Sequence, residues 1–354
     1  MLKYFEESNL IKLSRENNQG NKLLVESLKM ILLTVASILI VAFMTIPTLI
    51  LFAVKSDDVT ALTLMSLFVN VFYILIVWFI ITKMQKRQMT SIGFVKKRAY
   101  NEYVRGIIIG FLMITTVFSL SWLFGALKFA SFNTSLNVLT LLAAFVGFVV
   151  QGMAEEVLCR GLILTSIARK NSVLAGIIVN SVIFSLMHLG NDGFNIIAVI
   201  NIAAFGVFMS LYMLRSGNIW GVSAIHTVWN FMLGCVFGLP VSGAALPSIF
   251  KFENTSLSLL NGGAFGPEGG LIVTVLLGIV LTLFITKFKP PVQEAEIEIP
   301  DNKHINKDVE KMREELSHVE IIDGEEREVV ERCLNTKVSS KQSKRNAEKR
   351  QKKK

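Results

Sequence analysis

Along most of the chain, apolar residues fall in runs of about twenty, the length that a bilayer's hydrocarbon core requires of a helix. Short polar stretches separate these runs. They predict eight membrane-spanning helices, at residues 31–54, 61–82, 106–127, 138–168, 172–189, 194–214, 218–238 and 271–288. The first run is too long for the core of a signal peptide, so we expect it to remain as a membrane anchor. The predicted fold is an all-α, polytopic membrane helical bundle.

Three segments are predicted. Residues 1–30 form a cytoplasmic or interfacial N-terminal segment, 31–288 a transmembrane domain, and 289–354 a charged, partly disordered cytoplasmic tail. The N-terminal segment mixes apolar and charged residues at a loosely helical period, which is compatible with a helix on the membrane surface and equally with a solvated leader. The tail has helix-compatible spacing near 307–319, and its tip, 337–354, holds nine basic residues and one acid. The tip is able to contact anionic lipid or to act as a solubilising tail.

Basic residues predict the orientation of the bundle, because Lys and Arg accumulate in cytoplasmic loops. Seven lie between the second and third runs, two between the fourth and fifth, and one between the sixth and seventh: Lys83, Lys86, Arg87, Lys96, Lys97, Arg98 and Arg105, then Arg169 and Lys170, then Arg215. Both termini are therefore expected in the cytoplasm. The net charge of +9 follows the same distribution, which membrane topology explains better than nucleic-acid binding, so no nucleic-acid partner is predicted.

Three ionisable residues interrupt the fourth apolar run. Glu156 and Arg160 are four residues apart and share one helix face, whereas Glu155 is rotated by about 100°. Charges in apolar surroundings cost free energy, so this cluster is a functional candidate. The alternative is a simple ion pair at a cytoplasmic helix end, in contact with headgroups and water. Gln151, in the same run, is interpreted as a packing or gating group.

Further polar residues stand in later runs. Phe184 and His188 lie in the fifth, and His226 and Asn230 share one face of the seventh. With the glutamates they suggest one shared interior site. At 1.5 Å per residue, the three helices meet at one depth only if the turn after the fourth run projects roughly 10 Å into the cytoplasm. A water-filled cavity that opens on the cytoplasmic side is then expected.

The order Glu-Glu-x-x-x-Arg, Phe-x-x-x-His and His-x-x-x-Asn, each on a separate membrane helix, resembles the CPBP (Abi) family of intramembrane proteases over residues 138–238. That family includes CAAX prenyl proteases and bacterial bacteriocin-processing and immunity proteins. The resemblance implies peptide-bond hydrolysis near the membrane. Glu155 would be the general base that activates a water, and His188 would help to position that water. His226 and Asn230 would donate to the developing oxyanion, while Glu156 and Arg160 would hold the helix and tune the base.

The resemblance leaves the cofactor open. Glu155, His188 and His226 could supply three ligands to a catalytic zinc, and the family is often called metalloprotease on that ground. The same residues also suffice for metal-free chemistry, which we favour slightly. The three cysteines, Cys159, Cys235 and Cys333, have no disulfide-framework spacing.

The leading functional hypothesis is an intramembrane endopeptidase acting on a membrane-associated peptide or protein that enters from the bilayer or the cytoplasm. Two alternatives remain. The first is a non-catalytic scaffold or immunity protein that binds a sensor kinase, a cell-wall enzyme or a bacteriocin, for which the long tail is suited. The second is a proton-coupled transporter with the glutamates as a relay; the polar residues form one cluster without paired broken helices, which disfavours it.

Overall fold

The structure is a computed structural model that describes residues 1–15, 23–55 and 59–288. The predicted tail, with its helix near 307–319, lies outside the described residues. Within them the fold is helical with one small sheet, as the apolar runs predict. The helices are α1 (Leu2–Glu6), α2 (Asn9–Arg15), α3 (Leu23–Lys55), α4 (Val59–Phe68), α5 (Val71–Phe79), α6 (Ala99–Leu123), α7 (Val138–Glu156), α8 (Thr165–Lys170), α9 (Val173–Leu186), α10 (Ile196–Ser216), α11 (Ile219–Phe231), α12 (Ser258–Asn261) and α13 (Leu271–Thr286).

Six helical stretches of the described chain are long and apolar enough to cross a membrane. They are Leu24–Phe43, Thr60–Met84, Ala99–Leu123, Val138–Lys170, Ile196–Ser216 and Ile219–Val236. The shorter apolar helices α9 and α13 occupy the places of the predicted fifth and eighth spans. A helical, multi-pass membrane protein is thus confirmed, whereas the count of eight spans and the orientation of the termini stay predictions.

The fourth span is one continuous helical run. α7 passes into a π-helical segment, Val157–Leu164, and then into α8. From Glu156 to Arg169 every residue is buried, so this half of the span is enclosed by protein on all sides. The helices that pack around this half are α2, α3, α5, α9, α10 and α11. A long fourth helix that holds the acidic pair near its middle is what the sequence predicts.

The N-terminal segment packs on the bundle as far as it is described. α2 lies against α8, and α1 lies against α9, with Phe5 and Ile11 fully buried. The Glu6 carboxylate accepts a hydrogen bond of 2.6 Å from the backbone N–H of Val173, at the start of α9. The solvated-leader alternative is therefore wrong for residues 1–15.

The turn after the fourth span does not project freely into solvent. Lys170 donates to Glu26 of α3 at 3.0 Å, and both side chains are largely buried. Arg87, from the loop before α6, is also buried and donates to Thr165 of α8 at 2.8 Å. Burial, together with the neighbouring Arg169 cation, lowers the pKa of Arg87 to about 9. This turn is therefore packed against α3 and against the loop before α6, while its predicted 10 Å projection beyond the bilayer stays a prediction.

One antiparallel pair of strands was not predicted. β1 (Leu127–Phe132) pairs with β2 (Phe250–Asn254), with Phe129 opposite Phe252. The third span ends at Leu123, and Leu127, predicted as its last residue, begins β1 instead. Contacts between aromatic residues across the strands and an ion pair of 3.1 Å between Lys128 and Glu253 support the pairing. The loop at 239–270 is therefore partly regular, in contrast to the irregular loop that we expected.

α6 and α11 approach closely because glycine lies at their contact. A Cβ atom added at Gly106 would lie 2.2 Å from the carbonyl oxygen of Gly221 and 2.8 Å from Cβ of Ala224. The backbone of Gly221 cannot move aside as a flexible side chain can. Any side chain at position 106 would therefore push apart α6 and the helix that carries His226.

We expect Gly106→Ala to destabilise the protein, since overpacking of this kind costs about 1–3 kcal/mol or more. The thermal unfolding midpoint of purified protein in detergent should fall. Gly278→Ala is the matched control, because an added Cβ at Gly278 in α13 meets nothing within 4 Å. Equal midpoints for the two variants would contradict the close contact of α6 and α11.

Candidate active site

The second carboxylate of the pair, Glu156, is fully buried and has two cationic or polar partners on one oxygen. Arg160 Nη1 donates to Glu156 Oε1 at 3.0 Å, as the spacing of four residues predicts. The Nδ1 atom of His226 lies 2.9 Å from the same oxygen. The guanidinium also stacks over the ring of Phe184, at 4.4 Å from its centroid. Glu156 thereby joins the three motifs in the protein interior.

His226 connects the two glutamates. With Nδ1 directed at Glu156, its Nε2 atom faces Glu155 Oε2 at 3.7 Å. A proton on Nδ1 donates to the buried carboxylate, and this hydrogen bond fixes the ring orientation. The separation of 3.7 Å exceeds a direct hydrogen bond, so the two groups face each other without bonding.

A residue of the same helix, Gln151, holds the Glu155 side chain in position. Gln151, one turn earlier in α7, donates from Nε2 to Glu155 Oε1 at 2.9 Å. About 15% of the Glu155 side chain is exposed, whereas Glu156 is fully enclosed. Gln151 was interpreted only as a packing or gating group. Its spacing of four residues from Glu155 was the signal for this contact.

His188 lies just beyond its helix. α9 ends at Leu186, and His188 stands in the following turn rather than inside the predicted span 172–189. Its Nδ1 atom is 2.9 Å from the carbonyl oxygen of Phe184. When Nδ1 donates to this carbonyl, Nε2 is available to the cavity as an acceptor.

A cavity of about 520 Å³ brings most of the predicted residues together. Its wall includes Glu155, Phe184, His188, His226 and Asn230. Glu156 and Arg160 are not among the lining residues; they lie behind the wall and support it. The five predicted residues thus share one cavity, and the other two act through contacts with them.

Asn230 is well placed to bind a ligand. Its side chain is 4% exposed, lines the cavity and makes no hydrogen bond to any residue that the structure describes. It lies one helical turn after His226 on the same face of α11. A buried amide without a protein partner costs free energy unless water or a ligand satisfies it.

Another lining residue, Glu268, was missed from the sequence. Glu268 accepts hydrogen bonds from Trp229 Nε1 at 2.9 Å and from the Ser242 hydroxyl at 2.6 Å, and so joins the loop after α11 to the segment before α13. Asn201 donates to the carbonyl oxygen of Glu268 at 2.8 Å. The long separations along the chain left no pattern from which these contacts could be found.

The mouth of the cavity lies away from the basic loops. Its exposed lining residues are Gly190, Asn191, Asp192 and Ala244. α9 runs from the Lys170 turn toward 190–192, so this mouth and that turn are at opposite ends of the helix. The predicted opening on the side of the basic loops is therefore wrong, because α9 and the loop at 239–270 form the entrance.

The predicted zinc ligands receive no geometric support. Glu155, His188 and His226 all line the cavity, yet the part of the chain that the structure describes contains no group of three or more His, Cys, Asp or Glu arranged to hold a metal ion. The zinc hypothesis stays a prediction, and the chemistry proposed below uses side chains alone.

Comparison with known proteins identifies the segment that carries this site. Searches of curated proteins and of solved structures each found no match. A family model described as type II CAAX prenyl endopeptidase Rce1-like matches residues 137–232. This segment contains all three motifs, and with it Glu155, His188, His226 and Asn230. Residues 137–232 thus match the Rce1-like family model, in agreement with the resemblance that the motif order indicates.

Proposed function

We propose that this protein is an intramembrane endopeptidase that hydrolyses a peptide bond with a water activated by Glu155. The observation that carries the proposal is the position of His226, whose Nδ1 is held by the buried Glu156 while Nε2 faces Glu155 inside the cavity. The family match to endopeptidases supports the same reaction class. A scaffold has no need of this arrangement.

In the proposed reaction, a water bound between Glu155 and the substrate carbonyl gives a proton to the Glu155 carboxylate as its oxygen attacks the carbonyl carbon. Gln151 holds one carboxylate oxygen at 2.9 Å and leaves the other to accept the proton. His188, with Nδ1 directed at the Phe184 carbonyl, orients the water through Nε2. A positioned base of this kind contributes about 10²–10⁴-fold to the rate.

Asn230 and His226 are proposed to stabilise the tetrahedral intermediate. The Asn230 amide has no partner among the described residues, so its N–H groups are available to the oxyanion. His226 donates in the same way when Nε2 carries a proton, while Glu156 accepts from Nδ1. Glu155 then returns its proton to the leaving nitrogen, the C–N bond breaks, and the carboxylate is regenerated.

The substrate class is proposed from the site and the family together. It is a membrane-associated peptide or protein that reaches the cavity through the mouth at 190–192 and 242–244. A prenylated C-terminal peptide, a secreted-peptide precursor and a bacteriocin leader all remain candidates. Glu155→Gln protein is suited to capture the substrate for mass spectrometry, since this variant keeps the shape of the site without the base.

Glu155→Gln should reduce cleavage by about 10²–10⁴-fold, because the amide cannot take the proton of the water. Purified full-length protein in proteoliposomes is assayed on a prenylated C-terminal peptide, and membrane peptides of cells carrying either form are compared by mass spectrometry. Glu253→Gln, an exposed carboxylate on β2, is the control and should keep full activity. Both proteins should accumulate equally in the membrane.

The scaffold hypothesis would instead be supported if Glu155→Gln still cleaved its substrate at the wild-type rate. The cellular phenotype of the protein would then be lost only after deletion of residues 289–354. Assay of metal-depleted wild-type protein belongs to the same experiment. Loss of activity on chelation, restored by zinc, would overturn the metal-free route.

Glu156→Leu should strongly destabilise the protein, since it leaves the buried Arg160 cation without its carboxylate, at a cost of about 3–5 kcal/mol. Glu156→Leu with Arg160→Leu should recover much of the thermal stability, because no unpaired charge remains. Cleavage should stay low in both, since His226 has lost the acceptor of its Nδ1 proton. Recovery of activity along with stability would show that Glu156 does not orient His226.

The position of the mouth is testable by cysteine labelling in a Cys333→Ser background, where Cys159 and Cys235 are buried. A membrane-impermeant maleimide added to intact cells should label Asn191→Cys at the mouth. It should label Lys96→Cys, at the other end of the bundle, only after permeabilisation. The reverse pattern would place the mouth in the cytoplasm and overturn the orientation predicted from basic residues.

A further inference from the structure

A second cavity, of about 410 Å³, lies between the beginning of α6 and the end of α10. α10 begins near the mouth of the first cavity and ends at Ser216, so the two cavities lie at opposite ends of this helix. The polar wall of the second consists of Arg98, Glu102, Arg105, Tyr212, Arg215 and Ser216. None of these residues takes part in the proposed hydrolysis.

The charge of this cavity is not balanced by the protein. Its single carboxylate, Glu102, is 3% exposed and already engaged: Arg105 Nη1 donates to it at 2.7 Å and the Tyr212 hydroxyl at 3.2 Å. Among the residues that the structure describes, Arg98 and Arg215 form no ion pair. Arg215 lies over the ring of Phe284, at 5.8 Å. Two guanidinium groups are therefore available to an anion.

The backbone at Arg98 has a left-handed conformation that residues other than glycine seldom adopt. Its φ and ψ are 60° and 12°, at the residue that precedes the first turn of α6. Such conformations persist where the surroundings impose them, and they are frequent at ligand-binding positions. The conformation fixes the point from which the Arg98 side chain leaves the chain.

The arginines define the chemistry of the ligand. A guanidinium matches a phosphate with two parallel hydrogen bonds, which a lysine ammonium cannot do. The nonpolar wall of the cavity indicates whether the phosphate belongs to a free ion or to a lipid. Ile108 lines the cavity and is 53% exposed, and Leu112, one turn further along α6, is 59% exposed. A free phosphate ion would not contact this nonpolar surface, whereas the acyl chains of a phospholipid would cover it.

We propose that this cavity binds the phosphate headgroup of an anionic membrane phospholipid, with Arg98 and Arg215 on the phosphate and the acyl chains along Ile108 and Leu112. Basic pockets between membrane helices on the cytoplasmic side bind such headgroups. The basic loops predict that this end of the bundle is cytoplasmic. The site is separate from the catalytic one, so the proposal does not depend on the proposed hydrolysis.

The test is lipid-dependent thermal unfolding of purified full-length protein in detergent, with phosphatidylglycerol, phosphatidylcholine or inorganic phosphate as the added probe. Phosphatidylglycerol should raise the midpoint, and the other two should not. In R98Q/R215Q, the phosphatidylglycerol concentration that gives half of the maximal rise in midpoint should increase by at least about tenfold. Both side chains are exposed, so this variant should unfold at the wild-type temperature when no lipid is added.

The matched control is K3Q/K12Q, which removes two exposed lysines from helices at the same end of the bundle. It should respond to phosphatidylglycerol as wild type does. An equal loss in both variants would mean that general surface charge attracts the lipid, and would overturn the proposal. It is also overturned if R98Q/R215Q keeps the wild-type response, or if inorganic phosphate alone gives the same stabilisation.

Discussion

The site depends on one buried oxygen atom, Oε1 of Glu156. It accepts from Arg160 of its own helix and faces Nδ1 of His226 from α11, and all three side chains are almost completely enclosed. Removing Glu156 would leave the buried Arg160 cation without its carboxylate and the Nδ1 proton of His226 without its acceptor. The close packing of α7 and α11 at Gly152 and Thr227 follows from the same requirement, because the histidine must reach the carboxylate.

Local sequence patterns were sufficient to predict most of the helices and part of the candidate active site. The apolar runs predict most helix positions, and the spacing of four residues predicts the ion pair of Glu156 and Arg160. The family resemblance supplied what spacing alone leaves open, namely that His188, His226 and Asn230 meet the glutamates. The structure adds how they meet, with Glu156 behind the cavity wall and Glu155 in it.

The remaining features depend on contacts between distant parts of the chain. The pairing of β1 with β2 joins segments more than a hundred residues apart, and two short runs that each contain two phenylalanines do not show which segment is the partner. Glu268 is a loop carboxylate without periodic neighbours, so its contacts with Trp229 and Ser242 have no local signature. The side on which the cavity opens was misjudged because its mouth is formed by the turn after α9 and by part of the loop at 239–270, which lie far apart along the chain.

The spacing of Glu156 and Arg160 also matters for the assembly of the protein in the bilayer. When the fourth span enters the membrane during synthesis, His226, which lies 70 residues further along the chain, has not yet been made. A lone carboxylate or guanidinium would oppose insertion by several kcal/mol. The two charges are one helical turn apart, so they can neutralise each other within the segment as it inserts. The histidine can then join a pair that is already in place.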